Sequence, residues 1–356
     1  MHEDTIKGAI YGFAYGDAWG KDTEFMSYEA IKALETHTGH ARSFPEHAKV
    51  TDDTQMSLYA MYAVIEASIH PDNIARIHLD EKARNTVRVL FADSFVEFME
   101  DPDNNRAPGL TCMKALGEYK RQRDLLPSYA TTGREGVVPE SKGCGANMRA
   151  GWLGLLPANE DTITNLAILQ SETTHGHPLA LASSVLTALT LRAIARKEIT
   201  PGQGTYYSWA VAKIDELQQK LDLQQDQAAG NWNPDYGRGL VQLADFLESK
   251  AACVDDYSEA DREHEDICYF FGEGWVAEEA YLCALLGADY AKDPVEGLEH
   301  LANSEGDSDS LAAIGGQFIG AAAGFGGFPE EWEGNLEIRY QDELREVVAF
   351  LKRVNS

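Results

Sequence analysis

Two short runs of hard oxygen donors stand near opposite ends of the chain: Thr51-Asp52-Asp53-Thr54 and Gly306-Asp307-Ser308-Asp309-Ser310. Each precedes a helical pattern, with helices expected to begin near Gln55 and Leu311. Carboxylates and hydroxyls unaccompanied by His or Cys select Mg²⁺, Mn²⁺ or Ca²⁺ over zinc or copper. A helix start repels a cation through its dipole. Its free N–H groups can nevertheless hold one carboxylate oxygen while the other oxygen points at a metal. Asp, Ser and Thr are also the favoured N-caps, and either run alone reads as a cap. Four acids crowded into two caps, each followed by a helix of small residues, point to something more. If those helices lie side by side, the carboxylates converge, an arrangement tolerated mainly when cations neutralise it.

The elements that must bring the runs together are visible as glycine strips. Gly8, Gly12, Gly16 and Gly20 recur every fourth residue, as do Gly316, Gly320 and Gly324. Glycine inside a helix costs about 1 kcal/mol per residue relative to alanine, so two such strips predict two central helices in close mutual contact; the alternative is that Gly12 to Gly20 marks a loop. Helical periodicity dominates elsewhere. Met56, Tyr59, Ala60, Ala63 and Ala67 follow three-four spacing, as do Leu179, Leu181, Val185, Leu186 and Leu189, and alternating β-branched strands are nearly absent. The expected fold class is all-α, a bundle of ten or more helices with functional loops at their ends. The Gly-rich stretch 133–149, GREGVVPESKGCGANMR, is one such loop. The stretch from about 198 to 270 is polar, turn-rich and acidic, and is expected to be an insertion or lid outside the core.

With 356 residues, 44% hydrophobic and 25% charged, the chain has the composition of a soluble globular protein. Length alone leaves one or two domains open. Its 58 acidic and 30 basic residues give a net charge of −28, which disfavours nucleic acid and anionic membranes as partners. Five cysteines, Cys112, Cys144, Cys253, Cys268 and Cys283, include no CxxC pair and predict neither a disulfide framework nor a zinc cage; a reducing cytoplasm fits best. The opening MHEDTIKG has no apolar stretch of the signal-peptide kind. The uncharged segment 311–328 imitates a membrane span but is too rich in Ala and Gly, and reads as a buried, closely packed helix.

Taken in order, GAIYGFAYGDAWGKDTEF (8–25), TDDTQMSL (51–58), GCGANMR (143–149), THGHPLA (174–180) and NSEGDSDSLAAIGGQFIGAAAG (303–324) resemble the ADP-ribosylglycohydrolases of the dinitrogenase-reductase-activating type. The resemblance runs from about Lys7 to Leu351, and the two Asp motifs together carry it. It implies a single compact, orthogonal multi-helix bundle over residues 1–356 with a binuclear site in a central cleft. Two Mg²⁺ or Mn²⁺ ions would be held by Thr51, Asp52, Asp53, Asp307, Asp309 and Ser310. Glu24 would sit on a flap near the scissile bond. The loop Gly143, Cys144, Gly145, Ala146, Asn147, Met148 and Arg149 would hold the ribose and diphosphate, and His175 would lie beside the substrate. Two positions depart from the usual pattern: Ser310 stands where Thr is common, and Cys144 where Asn is common.

The activity implied is metal-dependent removal of ADP-ribose from a modified protein, most readily from arginine, reversing an ADP-ribosyltransferase or toxin. Such a metal pair activates water for attack at the ribose anomeric carbon, through an oxocarbenium-like state. Asp52, Asp53, Asp309 and Glu24 are the candidates for proton transfer and positioning, and loop N–H groups are expected to cradle the diphosphate; Arg149 reads equally as its charge partner or as a buried structural arginine paired with an Asp. Elsewhere, His177 before Pro178 fits a helix start or a residue supporting the site from behind, and Asp17 a helix end or a residue that supports the ligands from behind. Tyr206, Tyr207, Trp209, Trp232 and Tyr236 read as packing residues, with adenine stacking by one of them the alternative. The rival function is an immunity or inhibitor protein that uses its acidic surface to cover an ADP-ribosylating toxin.

Overall fold

Helices account for nearly all of the regular structure in a computed structural model that describes residues 1–38, 43–68, 81–125, 130–226, 233–260 and 265–356. In chain order the α-helices are α1 (Glu3–Gly20), α2 (Tyr28–Thr38), α3 (Asp52–Ser68), α4 (Glu81–Glu100), α5 (Leu110–Arg123), α6 (Glu160–Ser171), α7 (Pro178–Ala195) and α8 (Thr205–Asp226). They continue with α9 (Pro234–Glu259), α10 (Ile267–Phe271), α11 (Ala277–Asp289), α12 (Pro294–Ala302), α13 (Ser308–Ala323), α14 (Glu331–Asn335) and α15 (Ile338–Asn355). Pairing of the β type is confined, among the described residues, to the isolated bridges Ala48–Leu336, Val138–His175 and Gly143–Val276. The fold is all-α.

The two glycine strips face each other. A Cβ on Gly8 would run into the Gly320 carbonyl oxygen, on Gly12 into that of Gly316, on Gly16 into that of Ala312, and on Gly20 into that of Ser308. Rising numbers on one helix meet falling numbers on the other, so α1 and α13 are antiparallel with backbones in van der Waals contact. This register explains both strips and sets the C-terminal end of α1 beside the N-terminal end of α13. Gly12 to Gly20 is therefore helix, not loop. Residues 308–321 of α13 are buried throughout, so the expected buried helix holds for 311–321, whereas Ala322 and Ala323 are exposed and residues 325–327 form a 3₁₀ turn beyond the helix end. One helix, Pro178–Ala195, is long and apolar enough by length and composition to cross a membrane, yet 94% of it lies inside the protein.

The stretch 198–270 departs from its expected lid character. It carries α8 and α9, whose Tyr206, Ile214, Leu240, Leu243, Leu247 and Tyr257 join the main apolar core. Gly239 lets α9 rest against the backbone at Pro178, where α7 begins. The polar, turn-rich composition belongs to the outer faces and connections, while an apolar stripe at helical spacing turns inward. Tyr206 and Tyr236 are buried packing residues; Trp232 lies outside the described residues.

Candidate functional site

The acidic runs lie within the first turns of their helices rather than ahead of them: α3 begins at Asp52, and α13 begins at Ser308 with Asp307 as its cap. Asp17, on α1, explains the first placement. Its buried carboxylate accepts the Thr51 N–H at 2.9 Å and the Thr54 N–H at 3.1 Å, satisfying donors at the α3 start. Asp52 and Asp53 are thereby released from capping. Gly306 explains the second. It has φ +77°, and a Cβ there would strike the backbone at Glu273, so only glycine lets the chain turn into Asp307, whose N–H donates to Glu273 O at 2.9 Å.

The two runs converge. The Ser310 hydroxyl donates to Asp53 Oδ1 at 2.9 Å across the α3–α13 contact. Carboxylate oxygens of Glu24, Asp307 and Asp309 lie within 4.8 Å of one another. Thr51, Asp52, Asp53, Asp307, Asp309 and Ser310 are all buried, and Glu24 is half-buried. Among the described residues no Lys or Arg forms an ion pair with any of these carboxylates. Burial and the charge of Asp309 push the carboxyls of Asp52, Asp53 and Asp307 well above their ordinary range. The same two causes raise Asp17 to about 7 and Glu24 to about 9. An electrostatic deficit of this kind, built from oxygen donors, fits a hard divalent cation. Cys144 adds a soft atom at the edge: its sulfur lies 3.0 Å from Asp307 Oδ2, to which the thiol can donate its one hydrogen, and 3.1 Å from Ser310 Oγ.

Glu24, Asp52, Asp53, Asp307, Asp309 and Ser310 line a cleft of about 410 Å³ whose walls also include Gly143, Cys144, Gly145, Met148 and His175; Thr51 lies behind this wall. Ala146, Asn147 and Arg149 face elsewhere. Ala146 O accepts from Gln170, and Asn147 is held by Ala277 O and the Thr187 hydroxyl. Arg149 is only 1% exposed. It donates to Gln170 Oε1 at 2.7 Å, Gly145 O at 2.9 Å and Thr174 Oγ1 at 2.8 Å, with its guanidinium 4.2 Å from the Phe95 ring centroid. Of the two readings of Arg149, the structure favours the buried structural one, with neutral acceptors in place of an Asp: its fork holds the loop to residues 170–174. The loop itself is a 3₁₀ turn over Cys144–Ala146. The N–H of Cys144 goes to Trp275 O, and those of Asn147 and Met148 go to Cys144 O, so these three N–H groups are engaged within the fold. His177 caps α7 by accepting the Leu179 N–H.

A family profile for ADP-ribosylglycohydrolases matches residues 1–355. The chain belongs to the ADP-ribosylglycohydrolase family. It is 27% identical to the Escherichia coli K12 protein YegU over 91% of this chain and 89% of that one. It is 21% identical to the ADP-ribosylhydrolase ARH1 of Dictyostelium discoideum, covering 93% and 89% of the two chains, and 22% identical to the bovine ADP-ribosylhydrolase ARH3, covering 93% and 88%. A solved structure described as an ADP-ribosylglycohydrolase-related protein complex shares the fold, with a TM-score of 0.56 at 22% identity over 99% of both chains.

This glycohydrolase cleft has walls that the motifs did not disclose. Ala107 to Cys112 form one side, and the Gly109 N–H donates to Asp52 Oδ2 at 3.3 Å. Pro108-Gly109, a turn signal ahead of α5, was the available clue. Phe25 and Trp275 stack at the mouth, with ring centroids 5.2 Å apart and 16° between planes. Phe25 has φ +66° and is 71% exposed, and its N–H donates to Gly306 O. Its position next to Glu24 was the only sequence signal for it. Trp275, in a Gly-Glu-Gly-Trp run, carried none beyond the turn.

Proposed function

We propose that this glycohydrolase removes ADP-ribose from modified proteins, with ADP-ribosyl-arginine as its substrate, and that it works with two Mg²⁺ or Mn²⁺ ions in the cleft. One observation carries the reading: carboxylates from both ends of the chain meet in one cleft where, among the described residues, no Lys or Arg forms an ion pair with them. In this reading Thr51, Asp52, Asp53, Asp307, Asp309 and Ser310 hold the cations. Bound there, the pair would orient the ribose hydroxyls and supply an activated water. Asp52, Asp53 or Asp309 takes up the proton released as the glycosidic bond is exchanged. Glu24, at the lip, positions the ribose or the leaving group. Gly143 and Gly145 leave the wall free of side chains where the ribose and diphosphate approach. Arginine is favoured as acceptor because a molecule of net charge −28 attracts a basic polypeptide.

The test is ADP-ribose release from an ADP-ribosyl-arginine peptide by purified protein. Release is expected with Mg²⁺ or Mn²⁺ and is expected to stop on chelation. Failure to release ADP-ribose from arginine-, serine- and nucleotide-linked substrates with either cation overturns the proposal.

A further inference from the structure

Between the buried Arg149 and the cleft runs a chain of two hydrogen bonds. Arg149 Nη2 donates to Thr174 Oγ1 at 2.8 Å, and Thr174 Oγ1 lies 2.8 Å from His175 Nδ1. A guanidinium can only donate, so Thr174 accepts from it and keeps its own hydrogen to give away. Nδ1 of His175 is the strong acceptor in reach of that hydrogen. The Cys112 sulfur, which also interacts with the Thr174 hydroxyl, is a weak acceptor. With Nδ1 accepting, the ring proton must reside on Nε2.

Nε2 is the edge that meets the cleft. His175 lines the cleft wall, and a Cβ built on Gly143 or on Gly145 would lie 3.5 Å from Nε2, so the two glycines keep that edge clear of side chains. We propose that Arg149, acting through Thr174, locks neutral His175 in its Nε2–H tautomer, making it a fixed donor to an anionic or carbonyl oxygen of the ADP-ribose moiety. Arg149 and Thr174 are positioning residues, and His175 is the group that touches the ligand. Burial, reinforced by the Arg149 charge, lowers the His175 pKa to about 3 and so keeps the ring neutral. The arrangement gives an acidic protein an uncharged donor for a diphosphate-bearing ligand, where one reading of the sequence places a charged arginine. The inference rests on the glycohydrolase reading only for the identity of the ligand; the tautomer stands apart from it.

The experiment is long-range ¹H–¹⁵N correlation spectroscopy of the histidine rings in the full chain, with the His175 signals assigned by their loss in His175→Gln. Wild type and Thr174→Ser are expected to show a neutral Nε2–H ring at pH 7, and the isosteric Thr174→Val a mixed or Nδ1–H ring. ADP-ribose affinity, measured by calorimetry, is expected to fall about tenfold in Thr174→Val, the loss of one hydrogen bond to a charged group, and to be retained in Thr174→Ser. A wild-type ring protonated on Nδ1 overturns the proposal whether or not any variant folds, and so does a Thr174→Val ring unchanged from wild type. If wild type shows the Nε2–H ring but ADP-ribose does not bind, the ligand assignment falls and the tautomer lock stands.

Discussion

Cys144 stands where the chemistry of its neighbours makes its own identity consequential. Its sulfur lies against Asp307 and Ser310, two residues assigned here to cation binding, and the residue belongs to the loop that forms the opposite wall. A hydrogen bond to a charged acceptor contributes about 1.5–3 kcal/mol, so Cys144→Ala should weaken Mn²⁺ binding about tenfold, measured by calorimetry. Cys144→Ser, which keeps a donor at the same place, should bind within a few-fold of wild type; equal affinities in wild type and Cys144→Ala would show the contact to be idle. The meeting of the two acidic runs was legible in the residue types, because four acids crowded into two caps ask for a common neutralising group. Asp17 was not: it caps a helix that begins thirty-odd residues downstream, and that partnership exists only once α1 and α3 have packed. Arg149 was open between two readings for a related reason. An arginine beside a Gly-rich loop looks like an anion ligand, whereas its five donors are spent on neutral buried acceptors that sequence order does not reveal.

Helix contact decides whether the two acidic runs meet at all. α1 and α13 touch along four successive turns, and the fourfold glycine spacing announced that contact because no other arrangement repays so many helical glycines. The 198–270 segment was misjudged by composition: α9 alternates an exposed acidic face with Tyr236, Leu240, Leu243 and Leu247, and averaging over the turn-rich connections hides the stripe. Gly16→Ala tests the element directly. Its Cβ would enter the Ala312 carbonyl, and backbone cannot rotate aside as a side chain can. A loss of about 3 kcal/mol in chemical denaturation is expected, at the upper end of typical overpacking costs, together with weaker Mn²⁺ binding because Asp309 moves with α13. Gly117→Ala is the control. Gly117 lies in α5, where an added methyl would meet nothing within 4 Å, and the substitution should be neutral or stabilising by up to about 1 kcal/mol.

At the scale of the whole molecule, an unneutralised acidic centre makes stability depend on pH and on divalent cations together. In the metal-free protein the folded-state pKa values of Asp17 and Glu24 rise to about 7 and about 9, and those of Asp52, Asp53, Asp307 and Asp309 also rise. In the unfolded chain the same groups titrate near 4. Between those limits the folded state binds more protons than the unfolded state, so stability falls as pH increases. The metal-free Tm should therefore decline from pH 5 toward pH 8. A cation bound by the folded state alone adds RT ln(1 + [L]/Kd), about 2.7 kcal/mol at a hundredfold excess over Kd. It binds best where the carboxylates are ionised, so the rise in Tm on adding Mn²⁺ should be larger at pH 8 than at pH 5.5 and should flatten the pH profile. Differential scanning calorimetry at both pH values, with chelator and with Mn²⁺, reads the effect. A metal-free Tm that climbs with pH, or a Mn²⁺ shift of equal size at both values, would mean that these carboxylates find their charge partners elsewhere in the fold. Asp309→Asn separates this centre from the remaining acidic surface: by removing one of the repelling charges it should raise the metal-free Tm at pH 8 while abolishing most of the Mn²⁺ shift, a pairing of opposite effects that general loss of surface charge does not produce.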